Sequence, residues 1–93
     1  MTDVAHREHV RGCIHPLTYK YFFPKDEVGR VWELLQRRYG ALRVNEGFRT
    51  QEVESEMLIF RSTLLGNPIT VYRKQRCESA DVEEFHALIG FNE

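Results

Sequence analysis

Three histidines and one cysteine near the N-terminus have the chemistry of metal ligands. His6, His9, Cys13 and His15 fall within ten residues, and imidazole and thiolate groups are the usual zinc ligands in proteins. Their spacing, H-x-x-H-x-x-x-C-x-H, matches no standard structural zinc pattern because a second pair of cysteines is missing. We therefore expect no cofactor, and whether this cluster binds a metal stays open.

Candidates for catalysis are few. Cys77 and His86 provide the minimum for a Cys–His nucleophile if the start and the middle of one helix bring them together. Glutamates at positions 52, 54 and 56 would share one face of a strand, which suits a divalent ion or simply water. Because neither set belongs to a catalytic motif, we expect no catalytic residues and predict that the chain is not an enzyme.

A further set of side chains is suited to binding. Apolar and basic residues alternate between Met57 and Arg76, so one face of a strand pair would carry cations together with a tyrosine. Tyrosine and arginine are frequent anchors of protein–protein interfaces. The sequence therefore predicts a protein-binding face, and the predicted contacts are Ile59, Arg61, Tyr72, Lys74 and Arg76.

The same strand pair supports a second hypothesis, the binding of RNA or single-stranded DNA. Lysine and arginine would pair with phosphates while Tyr72 stacks on a base. Sheet-face RNA readers commonly stack two or three bases on aromatic residues, and here the predicted face has one. The candidate contacts for this alternative are Arg37, Arg38, Arg61, Tyr72, Lys74 and Arg76.

Charge is distributed unevenly along the chain. The net charge is −1, yet residues 20–76 hold eleven Lys and Arg against seven Asp and Glu. Residues 77–93 hold five acidic residues and no Lys or Arg. A basic middle and an acidic end permit a dipolar surface, whereas a mixed, solvated surface is the simpler interpretation.

One segment resembles part of a known family. The run V-Y-R-K-Q-R-C-E-S-A-D-V-E-E-F-H-A-L, eighteen residues from 71 to 88, is similar to the strand-to-helix passage in the small Alu-domain subunit of the signal recognition particle. The strand predicted near the N-terminus has no counterpart in the helix-first order of that family. What the resemblance implies is RNA binding, which adds to the second hypothesis.

Hydrophobic periodicity predicts a strand and a helix in the N-terminal half of the chain. Residues 13–23 alternate with period two, which predicts a strand that Pro24 ends. An amphipathic helix that ends at Gly40, with Trp32 in the core, is predicted by apolar residues at helical spacing: Val28, Val31, Trp32, Leu35 and Tyr39.

The pattern of the C-terminal half predicts a hairpin and a second helix. Residues 57–65 and 69–76 predict two strands around a Gly-Asn-Pro turn, with helix-facing side chains at Leu58, Phe60 and Leu64. A helix is predicted from an N-cap at Ser79 to Gly90. Residues 41–56 predict either a short strand or a loop.

Two amphipathic helices pack most economically on the same side of a sheet. The predicted fold class is therefore α+β, a two-layer sandwich with an antiparallel sheet of three or four strands in the order β-α-(β)-β-β-α. Residues 1–11 are expected to form a flexible tail and residues 12–93 a single α+β domain. An edge strand would permit a homodimer. Strand order, hairpin register, oligomeric state and the partner stay open.

The composition indicates in which compartment of the cell the protein is expected. No apolar run approaches the about 20 residues that cross a bilayer, and the two cysteines of the chain are too few for a disulfide scaffold. We therefore expect a cytoplasmic protein that contacts no membrane. Within that setting the sequence predicts a small regulator, inhibitor or assembly factor.

Overall fold

The computed structural model describes residues 5–10 and 18–91 of the 93-residue chain. The elements in chain order are β1 (His6–His9), β2 (Tyr19–Phe22), α1 (Val28–Tyr39), β3 (Arg43–Asn45), β4 (Thr50–Glu54), β5 (Leu58–Thr63), β6 (Ile69–Arg73) and α2 (Ser79–Ile89). One 3-10 turn, Lys25–Glu27, precedes α1. Neither helix of this described part is long and apolar enough to cross a membrane.

The six strands form one antiparallel sheet in the order β1-β2-β6-β5-β4-β3. Strands β3 to β6 form a meander, and α1 connects β2, which pairs with β6, to β3 at the far edge. In the central hairpin Phe60 lies opposite Val71. This pairing defines the hairpin register that the sequence left open.

Both helices cover one side of the sheet, which we call the inner face. The ring of Phe60 on β5 lies 4.9 Å from that of Tyr39 on α1 and 5.0 Å from that of Phe85 on α2. Trp32 is 5% exposed in the same core, as its position in the helical stripe predicted. The α+β class with an antiparallel sheet is therefore confirmed.

The number of strands is larger than the predicted three or four. Residues 6–9, which the sequence assigned to a flexible tail, form β1. The ambiguous residues 41–56 contain β3 and β4, and Val53 of β4 is fully buried. A polar segment thus becomes a strand because one central side chain reaches the core. Of the strand predicted over residues 13–23, β2 forms the last part, and residues 13–17 lie outside the described residues.

Local details also differ from the sequence-based expectation. The N-cap of α2 is Glu78 rather than Ser79, because the carboxylates of Glu78 and Asp81 each accept a hydrogen bond from the other's backbone N–H. Leu64 lies beyond the end of β5 and is 46% exposed. Ser62 instead follows Phe60 on the inner face and is buried.

Gly66 lies where the β5–β6 turn closely approaches α1. Its carbonyl accepts a hydrogen bond from Trp32 Nε1 at 2.8 Å, its φ is +82°, and a Cβ there would lie 2.8 Å from Val28 Cγ1. We expect Gly66→Ala to lower the free energy of unfolding by about 2 kcal/mol, measured by urea denaturation, because of backbone strain and this contact.

The matched control is Gly29→Ala in α1, where an added Cβ would meet nothing within 4 Å. Alanine is favoured over glycine inside a helix by about 0.8–1 kcal/mol, so this variant should be more stable than the parent chain. If both alanine variants changed stability equally, the close approach at Gly66 would be contradicted.

Candidate functional site

The side of the sheet opposite the helices, the outer face, carries the centre of the predicted binding face. Ile59 and Arg61 on β5 and Tyr72 on β6 point outward because they alternate with buried inner positions. Ile59 and Tyr72 are direct cross-strand neighbours, and both are partly buried. The guanidinium carbon of Arg61 lies 5.4 Å from the centroid of the Tyr72 ring, within the range of a cation–π contact.

The two remaining predicted contacts follow β6. The backbone N–H of Lys74 donates to the carbonyl of Met57 at 3.0 Å, which continues the pairing one step beyond the strand. Arg76 lies in the next turn, is exposed, and lines a shallow depression together with Lys74 and Met57. The structure thus brings Ile59, Arg61, Tyr72 and Lys74 together and places Arg76 at the margin.

Two glutamates of β4 bind the cations on either side of them. Glu52 accepts hydrogen bonds from Arg61 Nε at 2.9 Å and from Arg43 on β3. Glu54 accepts from Arg43 at 2.7 Å and from Lys74 Nζ at 2.6 Å. The sequence analysis missed Arg43, and it considered Glu52 and Glu54 as ligands of a divalent ion or as solvated side chains, not as partners of these cations.

This network shifts the pKa values of its members. Hydrogen bonds from Lys74 and Arg43 hold the pKa of Glu54 below its ordinary value of 4.5. The hydrogen bond to Glu52 raises the pKa of the Arg61 guanidinium. Both groups are therefore charged at neutral pH, and the cations of the network are nearly balanced by carboxylates.

Arg37 and Arg38, candidates for nucleic-acid binding, lie in the helical layer. Arg37 pairs with Glu33 one turn away at 2.6 Å, and Arg38 pairs with Glu84 on α2. Because the helices cover the inner face, these two arginines are on the side of the molecule opposite the Arg61–Tyr72 contact. The structure does not bring the six predicted nucleic-acid contacts onto one surface.

The candidate metal ligands within the described residues are not brought together. His6 stacks on Phe22 on the outer face, with ring centroids 4.9 Å apart, and His9 lies 5.1 Å from Tyr19 on the inner face. Residues three apart in a strand point to opposite sides. Cys13 and His15 lie outside the described residues, and the described part contains no group of three or more residues that could hold a metal.

The groups considered for catalysis have other partners. The Tyr21 hydroxyl lies 2.8 Å from His86 Nε2 and accepts a hydrogen bond from Arg7 at 3.2 Å. Tyr21 is 1% exposed, so this contact joins α2 to β1 and β2 inside the molecule. The Cys77 thiol donates to the carbonyl of Glu78 at 3.6 Å.

Comparisons with family models, with curated proteins and with solved structures find no match for this chain. Its function therefore has to follow from its own geometry. Within the described residues, the outer face is where the largest number of the predicted contacts converge.

The ion-pair network makes a prediction about Glu54. Replacing Lys74 with Met removes the hydrogen bond that contributes most to lowering the pKa of Glu54, so this pKa should rise towards its ordinary value. An NMR titration of the side-chain carboxyl measures it. Arg37→Met, which breaks an ion pair in the other layer, is the control and should leave the pKa of Glu54 unchanged.

The same shift gives a pH dependence of stability. Since the pKa of Glu54 is lowered in the folded state, its ion pairs stabilise the fold above pH 4.5, and this stabilisation is lost as the pH falls through the lowered pKa. The stability difference between the parent chain and Lys74→Met should therefore shrink on acidification. A difference that grew in acid would contradict the pairing.

Proposed function

We propose that this chain is a non-catalytic binding module, a small cytoplasmic regulator, inhibitor or assembly factor that recognises a protein partner through the outer face. The observation that supports this most directly is the arrangement of that face. Neither helix covers it, its centre is the Ile59–Tyr72 pair with Arg61 beside it, and ion pairs with Glu52 and Glu54 border this centre.

The centre of the face has the chemistry of an interface anchor. Tyrosine and arginine are enriched among the residues that contribute most to protein binding. Arg61 is held against both the Tyr72 ring and the Glu52 carboxylate, so it is already ordered before a partner arrives. Less side-chain entropy is then lost on association, which favours affinity.

The ion pairs of the outer face favour a protein partner over a nucleic-acid partner. Arg61 donates to Glu52 through both Nε and a terminal nitrogen, and Lys74 donates to Glu54. A phosphate backbone would have to displace these carboxylates or approach their negative charge. A protein surface that carries both signs can match the donors and the acceptors without breaking the network.

The test is capture of the partner from a nuclease-treated extract of the native host, with identification by mass spectrometry and a binding assay on the purified pair. Tyr72→Ala and Arg61→Ala should each weaken binding by about 30-fold, since anchor residues contribute about 2 kcal/mol or more. Arg37→Ala is the matched control, because it removes an exposed, ion-paired arginine from the helical layer. Unchanged capture by the Tyr72 and Arg61 variants would exclude this face.

Binding to single-stranded RNA provides the contrasting measurement. For single strands, each phosphate contact lowers log K by about 0.7 per decade of salt. We expect no such salt-dependent binding, since the cations of the face already have carboxylate partners. Tight binding at low salt that Arg61→Ala abolishes and salt weakens would favour the nucleic-acid function instead.

A further inference from the structure

The outer face continues from Arg61 into a depression at the end of the β3–β4 hairpin. This depression has a volume of about 910 Å³, and we call it the Phe48 depression. Its lining includes two side chains from β3, two from the turn after it and two from the neighbouring strands: Arg43, Val44, Glu46, Phe48, Glu52 and Arg61. Because Arg61 also contacts the Tyr72 ring, a partner that covers this contact also meets the depression.

A structured turn presents the Phe48 ring to solvent. The side chain is 81% exposed, and the Phe48 N–H donates to Asn45 Oδ1 at 3.2 Å. The next residue, Arg49, has a φ of +53°, which residues other than glycine rarely adopt, and its carbonyl accepts a hydrogen bond from the Leu64 N–H at 3.1 Å. The backbone on both sides of Phe48 is therefore held in place, and strained turns of this kind concentrate at binding sites.

The strand side of the depression offers hydrogen-bond donors rather than acceptors. Both oxygens of Glu52 already accept hydrogen bonds, Oε1 from Arg61 and Oε2 from Arg43. The Arg43 side chain is 61% exposed and uses only Nη2 for its bonds to Glu52 and Glu54. Its Nε and Nη1 donate to no other described residue. A carboxylate is the group that best matches the free edge of a guanidinium.

We propose, on the basis of the protein-binding function of the outer face, that the partner places an apolar side chain against Phe48 and a nearby carboxylate on Arg43. Both groups belong to one segment of the partner. Arg43 faces Glu52 across the hairpin, and the turn begins two positions later, after Asn45. Two strand positions span about 6.6 Å, a distance that neighbouring side chains of a peptide bridge.

The charge pattern of the lining favours a peptide over a nucleic acid. Glu46 is exposed in the same turn as Phe48, and no ion pair joins it to another described residue. A peptide can direct an N–H group towards Glu46 and a carboxylate towards Arg43, whereas a nucleotide stacked on Phe48 would bring a phosphate towards Glu46. Two arginines and two glutamates in the lining also lack the excess of cations that a phosphate backbone requires.

An NMR titration of the full chain with N-acetylphenylalanine tests this chemistry directly, because the probe joins an aromatic ring to a carboxylate. The shifts should centre on Phe48 and on Nε of Arg43, with a dissociation constant of about 1–10 mM for a ligand of this size. The neutral amide of the probe should bind about 5-fold more weakly, since it cannot pair with Arg43. Phe48→Ala and Arg43→Gln should each weaken binding of the probe. The control Leu65→Ala, at an 85% exposed position outside the lining, should not.

Binding to the purified partner gives the second measurement. Phe48→Ala should weaken it by about 10-fold, as for an interface anchor, and Leu65→Ala should leave it unchanged, while circular dichroism checks that each variant is folded. If Tyr72→Ala weakens partner binding and Phe48→Ala does not, the outer-face function stands and the role of the depression is contradicted. If neither variant weakens it, the outer-face function itself fails. No binding of the probe, equal binding of its amide, or tighter binding of adenosine monophosphate would also overturn the proposal.

Discussion

The packing of Phe60 against Phe85 is the contact on which the architecture depends. Phe60 occupies the central strand β5, and its ring meets Tyr39 of α1 as well as Phe85 of α2. The Phe85 ring also contacts that of Tyr21 on β2 at 5.1 Å. One aromatic cluster therefore holds both helices on the same face, and the alternate residues of the same strands have to face solvent.

The outer face becomes an organised surface because of strand order. β4 lies between β3 and β5, so Glu52 reaches Arg43 on one side and Arg61 on the other. Single exposed ion pairs contribute little to stability, but here shared carboxylates connect successive strands. The result is a set of charged side chains with defined positions beside the Tyr72 ring.

The end of the sheet where the β3–β4 and β5–β6 turns meet borders the outer face. The Leu64 N–H donates to the Arg49 carbonyl at 3.1 Å, so the two turns are joined. Phe48 in the first turn is 81% exposed and lines a depression that Arg61 of the outer face also lines. Leu65 in the second turn is 85% exposed and lies beside a groove between α1 and the sheet.

Local periodicity in the sequence determined both helices, the β5–β6 hairpin and the outward direction of Arg61 and Tyr72, because each follows from the spacing of neighbouring residues. Only the tertiary structure decided that the sheet has six strands, that Glu52 and Glu54 bind the cations, and that Arg37 and Arg38 lie on the opposite side. These features depend on which distant segments become neighbours. In β4, one buried valine among polar residues carried too weak a pattern to show that pairing.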